Sequence, residues 1–236
     1  MKIKLFTIPN CITLVNLLCG IGSIISSLVY NDLQMAFAFV IASAVADFCD
    51  GFAARLLKQY SALGVQLDSL ADMVSFGVAP AIAMSVLCGQ MPSVLGLGEQ
   101  VCEWLCYLPL VIALLSALRL AKFNIDETQK EEFEGLPTPG CAILCLSVAA
   151  LSERYGIVIG LEWLCLMSVL VAMLLVSPVR MFSFKFKSAR WSENKVRYIF
   201  LAMALALICS VKLYAIPAII VLYIAVSTVR WIIQKR

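Results

Sequence analysis

The sequence predicts an all-α fold, a polytopic membrane helix bundle of about eight transmembrane helices, with six also compatible. Three observations carry that expectation. Of the 236 residues, 62% are apolar and 14% charged, against about 45–50% and about 25% in soluble globular chains. The apolar residues collect in runs near the roughly 20 residues that a helix needs to cross a bilayer. The basic residues fall almost entirely on one side of those runs.

Taken in order, the spans are 11–30, 34–57, 69–90, 102–122, 139–153, 156–177, 196–211 and 214–232, read from hydropathy. The opening MKIKLFTIPN has no small-residue cleavage site after its first apolar run. It reads as a short interfacial helix leading into the first span rather than as a cleaved signal peptide. Turn chemistry separates the spans: Asn31-Asp32, Gly89 to Pro92, Pro137-Thr138-Pro139-Gly140 and Pro178. These types punctuate helices through positive φ, fixed φ or side-chain capping. The fifth and seventh spans are short, which is where a count of eight is weakest. The acidic run Asp126 to Glu134 reads as a solvated loop, with a lid as the alternative. Residues 178–196 mix basic residues with Trp191 and phenylalanines, the composition of a stop-transfer loop on anionic lipid. There is no internal repeat or low-complexity tract, so 1–236 reads as one membrane-embedded domain.

Orientation follows from the positive-inside rule. Lys2, Lys4, Arg55, Lys58, Arg119, Lys122, Lys130, Arg180, Lys185, Lys187, Arg190, Lys195, Arg197, Arg230, Lys235 and Arg236 fall on one side; Arg154 and Lys212 fall on the other. Both termini are therefore expected in the cytoplasm, with the protein in the cell membrane as a multi-pass chain.

Composition also excludes chemistry. With no histidine, a His base, a His metal ligand and a Ser-His-Asp triad are all ruled out. The 10 cysteines form no C-x-x-C pair. Most lie in apolar runs, where cysteine behaves as a small hydrophobe, so neither a zinc site nor a disulfide framework is expected. The net charge of +3 is small, and no nucleic-acid partner is expected.

The informative stretch runs from Ala46 to Pro80, ADFCDGFAARLLKQYSALGVQLDSLADMVSFGVAP. It places Asp47 and Asp50 on the second span, and Asp68 and Asp72 at the start of the third. One carboxylate near mid-bilayer costs about 2.5–3.5 kcal/mol on insertion scales, so four demand compensation. Asp47 and Asp50 are spaced i, i+3 and Asp68 and Asp72 i, i+4, so each pair shares a helix face. Joining the faces across residues 58–67 brings four carboxylates together. Arg55, near the membrane edge, supplies at most one positive charge. Two divalent cations would supply four, and all-carboxylate ligation favours hard ions such as Mg²⁺, Mn²⁺ or Ca²⁺. Ion pairing within the bundle lacks partners, because no other Lys or Arg lies deep in a span. A cation pathway would distribute its acids over several helices, whereas these crowd one hairpin. Gly51, Ala54 and Gly64 on the same faces suit either close helix packing or a bulky ligand approaching the backbone.

The pattern Asp47-x-x-Asp50-Gly51-x-x-Ala54-Arg55, eight residues, then Gly64-x-x-x-Asp68-x-x-x-Asp72 resembles the signature of the CDP-alcohol phosphotransferases at every fixed position. Ile8-Pro9-Asn10-x-Ile12-Thr13-Leu14-x-Asn16 resembles that family's first span. Three more segments resemble its serine-accepting branch: Asp72 to Pro80, Arg119-Leu120-Ala121-Lys122-Phe123-Asn124, and Phe133-x-Gly135-Leu136-Pro137-x-Pro139. The matching segments span about residues 8 to 140.

The resemblance implies transfer of the phosphatidyl group of CDP-diacylglycerol to L-serine, giving phosphatidylserine and CMP by direct displacement. It implies a homodimer and a cytoplasmic active site with two divalent cations, Mg²⁺ or Mn²⁺, held by Asp47, Asp50, Asp68 and Asp72. Asp72 would also be the general base on the serine hydroxyl, a role open to a positioned carboxylate. Gly51, Ala54 and Gly64 would let the nucleotide lie close to the backbone. Arg55 would touch the nucleotide phosphate or anchor the loop. Asn10 and Asn16 would contact the nucleotide or pair between helices. For the acceptor, Arg119 offers a planar fork for a carboxylate, or else anchors its span at the interface. Lys122, Asn124 and Ser75 are further acceptor candidates, with Phe76 beside Ser75. Glu162, next to Trp163, reads as an interfacial anchor rather than a catalytic acid. Two alternatives stand beside this reading. One is the same chemistry with glycerol 3-phosphate, inositol phosphate or choline as acceptor. The other is a divalent-cation or proton-coupled transporter.

Overall fold

The computed structural model describes residues 5–125, 133–181, 203–204, 207, 210 and 214–235. Residues 5–7 are not helical and lead directly into the first membrane helix, so the expected interfacial helix is not formed there. Helix α1 (Ile8–Leu28) starts earlier than expected because Thr7 caps it, its hydroxyl accepting from the Asn10 amide, with Pro9 in the first turn. Proline is tolerated there because that N–H has no helical partner anyway. Asn31, at φ 53°, turns the chain, and Asp32 caps α2 (Leu33–Leu56) through the Met35 amide.

The third span differs from the expectation in an instructive way. It begins at Ala62, not 69, capped by Ser61 on the Gly64 amide at 2.9 Å. The span therefore carries Asp68 and Asp72 well inside rather than at its start, with Asp72 the last residue of helix α3 (Ala62–Asp72). A π-helical turn over Met73–Val78 follows, then α4 (Ala79–Gln90). Pro80 explains the turn: it has no N–H to give and its ring crowds the preceding turn, so the helix widens there while continuing over 29 residues.

Helix α5 (Glu99–Leu105) and a 3₁₀ turn at Leu108–Leu110 lead into α6 (Val111–Ile125). Helix α7 (Thr138–Tyr155) is longer than the expected fifth span and ends on Gly156 in the left-handed conformation. Helix α8 (Leu161–Leu175) follows, then helical residues at 203, 204, 207 and 210, and α9 (Ala215–Lys235). The only strand pairing among the described residues is a two-residue antiparallel match, Phe133 with Met181 and Glu134 with Arg180. Five helical runs are long and apolar enough to cross a membrane: Ile8–Leu28, Leu33–Leu56, Ala62–Gln90, Glu99–Ile125 and Ala215–Ile233. The chain is thus an all-α polytopic membrane bundle. Most of the expected seventh span, the expected loop over 182–196 and residues 126–132 of the acidic run lie outside the described residues.

Helix α7 runs through the middle, against α2, α4, α8 and α9, with Cys141, Ala142, Leu144, Cys145, Leu146 and Ala149 buried. Helix α1 is built the other way round. Its buried face is Asn10, Thr13, Asn16, Gly20, Ser23, Ser26 and Ser27, while Leu14, Leu18, Ile21, Ile25 and Leu28 point outward. In lipid, apolar side chains gain nothing by leaving the surface, so small and polar residues make the helix contacts. That face sets α1 tightly against α2 and the π turn: a Cβ on Gly20 would sit 2.3 Å from the Ser75 hydroxyl oxygen.

The helices share two ends. At one, Gln90 meets Asn31 at 2.7 Å, Glu153 accepts from the Gln34 amide at 2.9 Å, and Tyr155 stacks on Tyr214 at 5.0 Å. At the other, the starts of α1, α3 and α7 meet the ends of α2, α6 and α8. All four expected aspartates lie toward this second end.

Candidate active site

Two antiparallel helices and their short connection create the site. Asp47 and Asp50 descend α2 on one face, and Asp68 rises to meet them on α3. One carboxylate oxygen from each lies within 4.8 Å of the others. Asp72, one turn beyond Asp68, stands beside this trio and is held by Asn16, whose Nδ2 donates to Asp72 Oδ1 at 3.1 Å. Thr13, three residues earlier on α1, donates its hydroxyl to Asp50 Oδ2 at 2.6 Å. The aspartates expected to converge do so, and α1 supplies hydrogen bonds to both sides of the cluster.

This arrangement is electrostatically incomplete. Like charges a few ångströms apart in a poorly solvated site repel by several kcal/mol at an effective dielectric near 20. Yet Asp68 Oδ1 is buried without a hydrogen-bond partner. The only ion pair among the described residues joins Lys122 to Glu134 at 2.8 Å, and touches none of the four. A buried polar group without a partner is costly, and an acceptor-only cluster of hard oxygens suits a hard divalent cation. The residues therefore fit a metal centre.

Beside the cluster opens a cavity of about 490 Å³, lined among others by Asn10, Thr13, Asp50, Arg55, Tyr60 and Asp68. Gly51, Ala54 and Gly64 line it too, so the five residues expected to bind nucleotide all reach one space. A Cβ on Gly51 would meet nothing within 4 Å, which leaves clearance for a ligand rather than for a neighbouring helix. Gly64 has a packing reason instead: a Cβ there would come within 3.1–3.2 Å of Ser61 and Asn10.

The residues expected to receive the acceptor divide. Arg119 and Lys122 line a second, smaller cavity of about 120 Å³, together with Phe123, Glu134 and the end of α8. Arg119 Nη1 donates weakly to Thr138 Oγ1 at 3.4 Å, while its Nε is buried without a partner. Asp72 is the one cluster carboxylate with which its guanidinium interacts appreciably. Asn124 instead clips α6 to α3, its Nδ2 donating to the Ser69 hydroxyl at 2.8 Å. Ser75 is fully buried and donates to the Asn16 carbonyl at 3.1 Å. Its surroundings are helix packing, and Phe76 beside it is also fully buried. Neither Asn124 nor Ser75 lines the smaller cavity, and Phe123 borders both cavities.

Sequence reasoning missed two supports of the cluster, Thr13 and Ser43, whose hydroxyl donates to Asn16 Oδ1, and Glu134 as part of a wall. Glu134 is not on a loose loop. Gly135, at φ 77°, presses so close to α8 that a Cβ would lie 2.2 Å from the Leu175 carbonyl. Its amide donates to Val179 O, and that of Leu136 to Leu174 O, both at 2.9 Å. Glu162, at the far end, accepts from the Ser93 hydroxyl at 2.5 Å and from the Val94 and Leu95 amides at 3.0 and 3.1 Å. It holds the 91–98 loop onto α8.

Comparison with known proteins finds relatives over most of the chain. The chain is 32% identical over 232 residues to a CDP-diacylglycerol--serine O-phosphatidyltransferase of Helicobacter pylori, covering 97% of this chain and 92% of that one. It is 36% identical over 192 residues to the Bacillus subtilis protein of the same name, covering 78% and 98%. For the one from Methanocaldococcus jannaschii the figures are 31% over 177 residues, covering 75% and 74%. The family model for CDP-alcohol phosphatidyltransferase matches residues 6–174, a stretch that holds the aspartate cluster and the larger cavity. By that match and by the carboxylate geometry, the chain belongs to the CDP-alcohol phosphatidyltransferase family.

Proposed function

We propose that the protein transfers the phosphatidyl group of CDP-diacylglycerol to the hydroxyl of L-serine, releasing phosphatidylserine and CMP. The observation that carries this reading is the position of Asp72. It stands one turn beyond Asp68, whose carboxylate with that of Asp50 lines a large cavity, and a small cavity lined by Arg119, Lys122 and Glu134 lies on the α6 side, with Phe123 bordering both. The first suits a nucleotide pyrophosphate, and the second a small zwitterion.

Asp47, Asp50, Asp68 and Asp72 would hold two divalent cations, Mg²⁺ or Mn²⁺, which when bound neutralise the pyrophosphate and the charge growing on the leaving CMP. The remaining work belongs to side chains. Asn10, Gly51, Ala54, Arg55 and Gly64 seat the nucleotide. Arg119 and Lys122 receive the serine carboxylate, for which a guanidinium fork is well shaped. Glu134, fixed by its strand pairing, faces the ammonium group. Asp72 accepts the proton from the serine Oγ. That oxygen forms a bond to the phosphatidyl phosphorus while the bond from phosphorus to the bridging oxygen breaks, and CMP leaves with the electron pair. Holding both reactants in line contributes much of the acceleration in such displacements.

The protein acts in the membrane, with the site end and both termini on the cytoplasmic face. Arg55, Lys58, Arg119, Lys122 and Arg180 at that end support this orientation. Eight spans are supported by the positions of residues 181 and 214, beside opposite ends of α7. A homodimer is part of the same reading. The test is CMP release from CDP-diacylglycerol by purified protein, with L-serine, glycerol 3-phosphate, inositol phosphate and choline offered separately, each with Mg²⁺ and with Mn²⁺. Serine-dependent release that a chelator stops is expected. Release with another acceptor only would overturn the serine assignment. Metal flux into proteoliposomes without CMP release would favour transport.

A further inference from the structure

We infer that Asn16, with Ser43 behind it, is a positioning residue that orients Asp72 for proton transfer. The inference rests on the proposed role of Asp72 and goes beyond it, because the relay reaches neither substrate nor the aspartate trio. Asn16 is fully buried. An amide side chain has a donor end and an acceptor end, and which way it points decides what it can do to a carboxylate. Here both ends of the amide are engaged. The Ser43 hydroxyl on α2 donates to Asn16 Oδ1, so Nδ2 is the end presented to Asp72 Oδ1, at 3.1 Å. That bond fixes the plane of the carboxylate, and with it the direction in which Oδ2 and the remaining lone pairs face.

The backbone is fixed as firmly as the side chain. Ser75, three residues past Asp72 in the π turn, donates to the Asn16 carbonyl at 3.1 Å. Gly20, one turn further along α1, lets the two segments touch at Ser75. Asn16 thus meets the Asp72 region twice, once through its side chain and once through its main chain. Partners that orient a functional carboxylate in this way are typically worth about 10–100-fold when removed.

The test measures kcat, both KM values and Mn²⁺ binding for Asn16→Ala, Ser43→Ala and the double variant. The acceptor is whichever one the wild type turns over, so a wrong acceptor and a wrong positioning residue give different results. Asn16→Ala is expected to lower kcat about 10–100-fold, with KM for CDP-diacylglycerol within about twofold and any fall in Mn²⁺ affinity, to which Asp72 contributes as one of four ligands, smaller than the fall in kcat. Ser43→Ala is expected to lower kcat less, and to add nothing to Asn16→Ala, because residues of one unit are not additive. An unchanged kcat in Asn16→Ala overturns the inference. So does a loss that falls on Mn²⁺ affinity or KM instead, or independent additive losses. If Asn16→Ala does not fold, Ser43→Ala decides: an unchanged kcat there overturns the relay.

Discussion

Two ends of one bundle treat their acids in opposite ways. At the far end, Glu162 receives a hydroxyl and two backbone amides from the 91–98 loop. At the site end, three aspartates face one another, one oxygen of Asp68 has no partner, and the hydrogen bonds that exist come from Thr13 and Asn16. A carboxylate deep in a membrane helix is expensive, while one in the first turn at the interface, as Glu162 is, is favoured by the helix dipole. What differs is whether the protein supplies its donors. A satisfied acid holds a loop; a starved cluster is a place for something the chain does not itself provide.

The sharpest way to break this contrast is to remove a starved acid. Asp68→Asn keeps shape and removes a charge that repels its neighbours, so the protein should fold with equal or greater thermal stability. CMP release should nevertheless fall by about 10³-fold, in the range seen when transition-state charge stabilisation is lost. Mn²⁺ titration should show weakened binding. A variant that loses stability along with activity would mean that the cluster is structural after all. Chelation should abolish wild-type turnover, and Mg²⁺ or Mn²⁺ should restore it.

The next effect is smaller and tests selectivity. Glu134→Gln should raise KM for L-serine roughly 10-fold, the low end for a charge-assisted hydrogen bond of about 1.5–3 kcal/mol, and leave KM for CDP-diacylglycerol alone. It should also reduce discrimination against 3-hydroxypropionate, which is serine without its ammonium group. Equal discrimination in wild type and variant would assign Glu134 to its ion pair with Lys122 alone. Smaller still is Gly51→Ala. Alanine is about 1 kcal/mol better than glycine within a helix and the added methyl meets no neighbour, so stability should hold or rise. The methyl enters the nucleotide cavity, so KM for CDP-diacylglycerol should rise a few-fold. An unchanged KM would place the nucleotide elsewhere.

Much of this was legible in the sequence because a membrane restricts what a sequence can mean. Long apolar runs have to be helices, and four aspartates within them have to converge on something. Their i, i+3 and i, i+4 spacing then dictates the face. The start of the third helix was harder, since Gly64 and Gln66 lower the hydropathy there and the Ser61 cap is the only local signal. The supports of the cluster were hidden for another reason. Thr13 and Ser43 are small polar residues on faces that pack helices anyway, so their second task leaves no trace in composition. Asn124 and Ser75 follow Arg119 and Asp72 closely along the chain. Their partners, Ser69 and the Asn16 carbonyl, lie 55 and 59 residues away, and such pairings are set by tertiary packing. Glu134 was concealed in an acidic run, and its fixed place depends on Gly135 meeting the end of α8.

The least effect on chemistry is expected where the acid is satisfied. Glu162→Gln retains the size of the side chain and one acceptor oxygen, but exchanges the other for an NH₂ that faces either the Val94 amide, at the Oε2 position, or the Ser93 hydroxyl and Leu95 amide, at the Oε1 position. Donor would then oppose donor at one of these contacts, and the loop from Met91 to Gly98 should loosen from α8. The consequence belongs to the fold: a lower thermal midpoint, and faster proteolysis or amide exchange confined to residues 91–98. Measured below that midpoint, kcat and both KM values should match the wild type, because nothing in this loop reaches either cavity at the site end. Turnover lost in a Glu162→Gln protein that is still folded would join the two ends energetically, and the division between a satisfied acid that holds the fold and a starved cluster that does chemistry would fail.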